Sequence, residues 1–272
     1  MQGLQQLQKI FESHLEKNSL KDFYLSDPVW FPKRFKMKND IEVAAFISAV
    51  FAIGPRYTIF RSLEKIFSAL DGSPYDAVKN LDETRLLKTM DGHVQFAYKN
   101  ITGRDFVQVL SAVKTILDNH GTIENALLGW HAGNKSVVSE ILTGLLEEMK
   151  SVKLNRLLGM ELTARAKALL ASPKEGSACK RMNMFLRWMT RNDEVDFGIY
   201  DWLGKENLVI PLDVNVSRAA RKLKLTKRKT DNWKTAVEIT EKLKLLDPRD
   251  PVKYDVPLFL YGIELRKRSH AV

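Results

Sequence analysis

The sequence contains a single cysteine, Cys179, so it can form neither a disulfide within the chain nor a cysteine-built zinc or iron-sulfur site. That usage suits a reducing cytoplasm, with nucleoid association if the source is bacterial. A hydrophobic run long enough to cross a bilayer is also missing. The most apolar stretch, Ile41 to Ile53, is broken at Glu42, whereas a span needs about 20 apolar residues. It reads as a buried helix, and no membrane partner is expected. Near the start, Leu4, Leu7, Ile10, Phe11 and Leu15 recur at helical spacing among acidic residues, without the continuous apolar centre of a secretory signal. The alternating pattern of strands is nearly absent, as are low-complexity linkers and repeats of fixed period.

What the chain does carry is charge with an excess of one sign. Lys and Arg number 43 against 33 Asp and Glu, a formal net charge of +10. From Lys180 onward there are 20 basic and 13 acidic residues, so +7 of the excess lies there. Phosphates are the expected partner of such a segment. A chain of 272 residues buries roughly three quarters of its unfolded surface and needs no covalent staple.

Apolar residues three and four apart mark helices over Ile59–Leu70, Arg104–Asn119, Lys135–Met149, Leu157–Leu170 and Lys180–Arg191. Gly and Pro fall between them, at Gly54-Pro55, Gly72-Ser73-Pro74, Gly121-Thr122 and Ser172-Pro173. The expected fold class is therefore all-α, with residues 1–272 forming one unit of two helical lobes. Phe185 and Trp188 are expected in the core.

Between Leu169 and Thr190 the sequence LLASPKEGSACKRMNMFLRWMT reads as a helix end, a short Pro/Gly turn and a new helix start. This is a helix-hairpin-helix pattern near 157–191. A tight turn feeding a helix start points unpaired N–H groups outward, which suits a phosphate of any base sequence. Lys180 falls in the first turn of the second helix, where the macrodipole disfavours an ammonium group and favours the free amine that a nucleophile requires. Asp213, in IPLDVNVSRAARKL, falls at the N-terminal boundary of a further helix expected over Ser217–Leu225, where a carboxylate is stabilised as the anion. A nearby anion raises the lysine pKa again, so the two influences compete. Val214 to Lys229 contains seven basic residues and no acidic one, and reads as a phosphate-binding surface.

With these residues in view, the chain resembles the helix-hairpin-helix (HhH-GPD) superfamily of base-excision DNA glycosylases, which includes endonuclease III and the 8-oxoguanine glycosylases. The resemblance covers about Leu169 to Arg266. Lys180 matches the Schiff-base lysine that closes the hairpin LPGxGxK, here KEGSACK: Gly176 keeps the first glycine, and Ala178 replaces the second. IPLDVNVSRAARKL matches VPVDxHVxRxxxRL, which puts Asp213 in the place of the catalytic aspartate and Asn215 near the DNA phosphate. The lysine-to-aspartate interval is nearest to that of the archaeal 8-oxoguanine glycosylases, and DPVKYDVPLFLYGIELRK is similar to the late helix that helps line the base pocket. A bacterial branch of the superfamily is the expected home of the chain.

The resemblance implies a two-lobed fold with a DNA-binding cleft between the lobes. It also implies a DNA N-glycosylase with associated AP-lyase chemistry, in which Lys180 attacks C1′ and Asp213 stabilises the cationic sugar. Duplex DNA with a damaged base is the implied partner, an 8-oxoguanine-like purine being the first expectation. Met184, Pro257 and Tyr261 are the implied pocket residues. Gly176, Ser177, Ala178, Asn215, Arg218, Arg221 and Lys222 are the implied DNA contacts. No cofactor and no iron-sulfur cluster is expected, and a monovalent cation at the hairpin is the one candidate ion. Gly54-Pro55-Arg56-Tyr57 reads either as a loop that fills the space left by a flipped base or as a plain helix connection. The histidines His14, His93, His120, His131 and His270 show no metal-ligand spacing. The alternative reading of the whole is a non-enzymatic helix-hairpin-helix module that holds DNA or structured RNA.

Overall fold

The structure is a computed structural model that describes residues 7–13, 27–90, 95, 97–131, 138–155 and 158–269. Of the positions named above, Leu4, His14, Leu15, His93, Lys135, Leu157 and His270 lie outside them. Among the described residues the regular structure is helical. The helices are α1 (7–13), α2 (Lys38–Val50), α3 (Arg56–Leu70), α4 (Pro74–Lys79), α5 (Glu83–Thr89), α6 (Gly103–His120), α7 (Ile123–His131), α8 (Val138–Lys150), α9 (Ala164–Leu169), α10 (Lys180–Thr190), α11 (Val214–Lys222), α12 (Trp233–Lys244) and α13 (Asp255–Ser269). Strand-like pairing among them is confined to three isolated bridges. No helix among the described residues is long and apolar enough to cross a membrane.

The chain divides into two compact units, Ser26–Ser172 and the combination of Met1–Leu25 with Pro173–Val272. The expected single unit over 1–272 thus has its internal boundaries at 25/26 and 172/173. The first unit holds α2 to α9. Every residue of α2 from Glu42 to Val50 is buried, as the apolar run required. Glu42, the one charge in that run, is 1% exposed. Its carboxylate accepts the Ile123 and Glu124 backbone N–H groups at 2.9 and 2.8 Å. The buried anion therefore satisfies two of the orphan donors at the start of α7 and meets the positive end of that helix's dipole. Helix α6 starts at Thr102, which forms a capping box with Asp105.

The second unit holds α1 and α10 to α13. Its core includes Ile210, Leu212, Val216, Ala219, Ile239 and Leu258, with Phe11 of α1 added to it; the Phe11 and Tyr254 ring centroids are 5.2 Å apart. Phe185 and Trp188 of α10 are fully buried, as their spacing suggests. Helix α11 packs on α13 at Gly262, where a Cβ would come within 2.5 Å of the Asn215 carbonyl carbon and 2.9 Å of its Cα. Glycine in mid-helix serves here as the point of closest backbone approach.

Two helix expectations change. The segment expected as a helix over Leu157–Leu170 is helical only over α9. Gly159 and Met160 adopt left-handed backbone, φ 93° and 67°, and the helix begins where the Thr163 side chain accepts the Ala166 N–H. Apolar spacing alone gave no warning of that turn. The helix expected over Ser217–Leu225 starts three residues earlier, at Val214, because Asp213 caps it, and it ends before Lys224 at φ 59°. The segment 157–191, expected as a helix-hairpin-helix, contains α9, a short turn and α10, and α9 and α10 belong to different compact units.

Candidate functional site

The hairpin turn begins with Gly176, whose N–H reaches the Pro173 carbonyl at 2.9 Å. Gly176 is exposed and left-handed, φ 79°, with open space where a Cβ would lie. The second left-handed residue of the turn is Cys179, φ 48° and ψ 34°, and not Ala178. That accounts for alanine at 178, since no positive φ is demanded there. The Cys179 N–H is received by the Ser177 hydroxyl at 3.1 Å, and the Asn183 amide donates to the Ala178 carbonyl at 3.1 Å. Cys179 is thus a non-glycine residue held in a costly conformation immediately before Lys180.

Lys180 is the first residue of α10. Its side chain is half-buried and makes no hydrogen bond or ion pair among the described residues. Asp213 is the N-cap of α11, and its Oδ1 accepts the Asn215 and Val216 N–H groups, both at 2.8 Å. Its second carboxylate oxygen has no hydrogen-bond partner among the described residues.

A third residue, which the sequence reading did not single out, lies within electrostatic reach of both. Asp255, the first residue of α13, is 9% exposed. Burial pushes its carboxyl up to about 6, with the Asp213 charge adding to the rise; Arg187 and Lys180 act against it. A buried carboxyl therefore lies in the field of both sequence-identified residues, and all three groups sit at the starts of helices. Arg187 Nη1 donates to Asp255 Oδ2 at 2.5 Å. The same guanidinium donates from Nε and Nη2 to Asp196 Oδ1 at 3.3 and 3.2 Å. Arg191 reaches Asp196 Oδ2 at 2.7 Å and Asp250 at 3.1 Å. Burial raises the Asp196 carboxyl, against the pull of both arginines. This paired network ties α10 to the start of α13. A signal for Arg187 exists in the sequence: a lone charge in the apolar run MNMFLRWM must find a buried partner. Nothing local identifies Asp255 or Asp196 as that partner.

The other candidates separate. Pro257 lines a cavity of about 360 Å³ together with Phe11, Arg187, Val252, Tyr254 and Val256. Neither Met184 nor Tyr261 belongs to that lining. Met184 is buried, and Tyr261 packs against the core of Leu212, Val216 and Leu258. The Asn215 side chain accepts from Arg218 Nη1 at 2.9 Å, and the same nitrogen reaches the Gly262 carbonyl at 3.2 Å. Arg221 is turned onto its own chain. It donates to the Arg228 and Lys229 carbonyls at 2.8 and 2.9 Å, to Asp231 at 2.6 Å and to the Ser217 hydroxyl. Lys222 is exposed. In the other unit, Gly54 is left-handed beneath the Tyr98 ring and Tyr57 is 73% exposed.

No curated protein and no solved structure matches the chain. One family model, described as a protein of unknown function (DUF2400), matches residues 27–264, and the chain belongs to that family.

Proposed function

We propose that the protein is a DNA N-glycosylase with an associated lyase step, acting through Lys180 on a damaged base in duplex DNA, with an 8-oxoguanine-like purine the first candidate. The observation that carries the reading is that one compact unit presents, each at a helix start, an amine without an ion pair at Lys180 and a carboxylate with an open oxygen at Asp213. A base-excision site needs this combination of a nucleophile and an anion beside an electron-poor sugar. The free amine of Lys180 bonds to C1′ of the extruded nucleotide as the glycosidic bond breaks and its electron pair leaves with the base. The proton lost from Nζ passes, with Asp213 as carrier, to the ring oxygen as the sugar opens, and the departing base takes up a proton from solvent water. Opening of the sugar leaves an iminium between Nζ and C1′. Loss of a 2′ proton with expulsion of the 3′ phosphate then completes the lyase step.

Duplexes containing 8-oxoguanine, uracil, an alkylated purine or an abasic site, incubated with the protein and borohydride, are expected to yield a covalent adduct on at least one substrate. Lys180→Gln abolishes it. The second reading, a binding module without chemistry, is favoured by the replacement of the hairpin's Leu-Pro and second glycine. Absence of an adduct on every substrate assigns the protein to that class.

A further inference from the structure

The segment from Lys222 to Lys234 differs from an ordinary solvated basic stretch in how its charges are disposed. Its acidic residue, Asp231, is consumed by Arg221 and by the Ser217 hydroxyl at 2.6 Å. Arg228 is consumed by Glu238 at 2.6 Å. Lys222, Lys224, Lys227, Lys229 and Lys234 are all exposed, and none makes an ion pair or side-chain hydrogen bond among the described residues. The two arginines, suited to bidentate bonding, build the loop, while the five lysines are left to solvent.

The loop is also held in one shape. Arg221 grips two of its carbonyls, the Thr226 hydroxyl accepts the Arg228 N–H at 3.1 Å, and the Thr235 hydroxyl donates to the Thr230 carbonyl at 2.7 Å. Leu225 and Thr226 are buried beneath it. At its far end Asn232 forms an antiparallel bridge with Ser177. The lysine loop is therefore joined directly to the hairpin turn that precedes Lys180.

We propose that the lysine loop 222–234 and the hairpin turn 176–178 form one surface that grips the phosphodiester backbone of duplex DNA. Free ammonium groups on an ordered loop give charge neutralisation without the entropy of ordering that loop on binding. A row of phosphates answers this arrangement better than an anionic bilayer does, because Leu225 is buried and Leu223 and Trp233 pack, partly buried, against the core, which leaves no exposed apolar side chain on the loop to insert among lipids. The inference deepens the glycosylase reading by naming what holds the strand, but it requires no chemistry at Lys180.

The test uses the full chain and measures affinity for an undamaged DNA duplex, an RNA duplex and phosphatidylserine vesicles between low and moderate potassium chloride. The triple variant Lys224→Gln, Lys227→Gln, Lys229→Gln is compared with an equal loss of charge at the exposed Lys88, Lys153 and Lys205, with circular dichroism confirming the fold of each. The loop triple is expected to weaken DNA binding by at least about tenfold and to reduce the slope of log K against log salt by about 2 to 3, close to 0.9 per lost phosphate contact. The control triple changes affinity less than about twofold. Equal losses in the two triples, a preference for RNA, or binding to vesicles in place of DNA would overturn the proposal. The borohydride adduct is scored separately: binding that depends on the loop without an adduct removes the chemistry and leaves this surface, whereas an adduct with binding indifferent to the loop removes this surface and leaves the chemistry.

Discussion

Replacing Gly262 by alanine sets two effects against each other. In an unconstrained helix interior, alanine is favoured over glycine by about 1 kcal/mol, so α13 taken alone should gain stability. In the folded protein the new Cβ would lie 2.5 Å from the Asn215 carbonyl carbon and 2.9 Å from its Cα, and closer still to its carbonyl oxygen. These are backbone atoms of α11, which cannot rotate away, so the helices must separate. Overpacking of this kind costs about 1–3 kcal/mol, and a rigid backbone neighbour puts this site near the top of that range. The expected net change is a loss of about 2 kcal/mol. The damage should be local, because Asn215 N–H is also one of the two donors that fix the Asp213 carboxylate. Urea unfolding followed by tryptophan fluorescence measures the loss, and amide exchange in 214–222 should accelerate with it. A variant as stable as the parent, with unchanged exchange in α11, would refute the close approach of the two helices and the positioning of Asp213 that follows from it.

Two further outcomes follow from the same structure. Glu42→Ala leaves two N–H groups at the start of α7 without their buried acceptor, a loss of about 3 kcal/mol; chemical denaturation reads it, and a change within 0.5 kcal/mol would mean that water replaces the carboxylate. Carbon-13 titration of Asp255 should show a midpoint near 6, rising in Lys180→Gln and falling in Asp213→Asn; a midpoint that moves in neither variant means that the three groups share no field. The folded pKa lies above the ordinary 3.8, so the native state retains the extra proton between about 4 and 6. This group's contribution to stability is therefore complete below about 4 and is lost as pH rises through about 6.

Much of the architecture is legible in the amino-acid sequence. Apolar spacing located α3, α6, α8 and α10 to within a few residues, because a helix that buries one face must repeat its apolar side chains every third or fourth position. Asp213 was legible as a cap because a carboxylate at a helix start receives its hydrogen bonds from residues two and three positions ahead in the same chain. The turn at Gly159 and Met160 was not legible, because a left-handed methionine leaves no mark in an apolar pattern. In the basic run, composition counted Arg221 with the lysines, whereas its hydrogen bonds make it the internal brace of their loop.

The sequence by itself determined the helical class, the exclusion of cysteine-built centres, the late excess of positive charge and the pairing of Lys180 with Asp213 as residues of interest. These rest on composition or on neighbours a few positions apart. Only the tertiary structure decided that Arg187 answers Asp255, 68 residues away, that Gly262 is the contact point of two helices, and that the lysine loop is bridged to the hairpin. Such partners are chosen by desolvation and close packing between distant segments. Those forces act on whatever the fold brings together and leave no periodic trace along the chain.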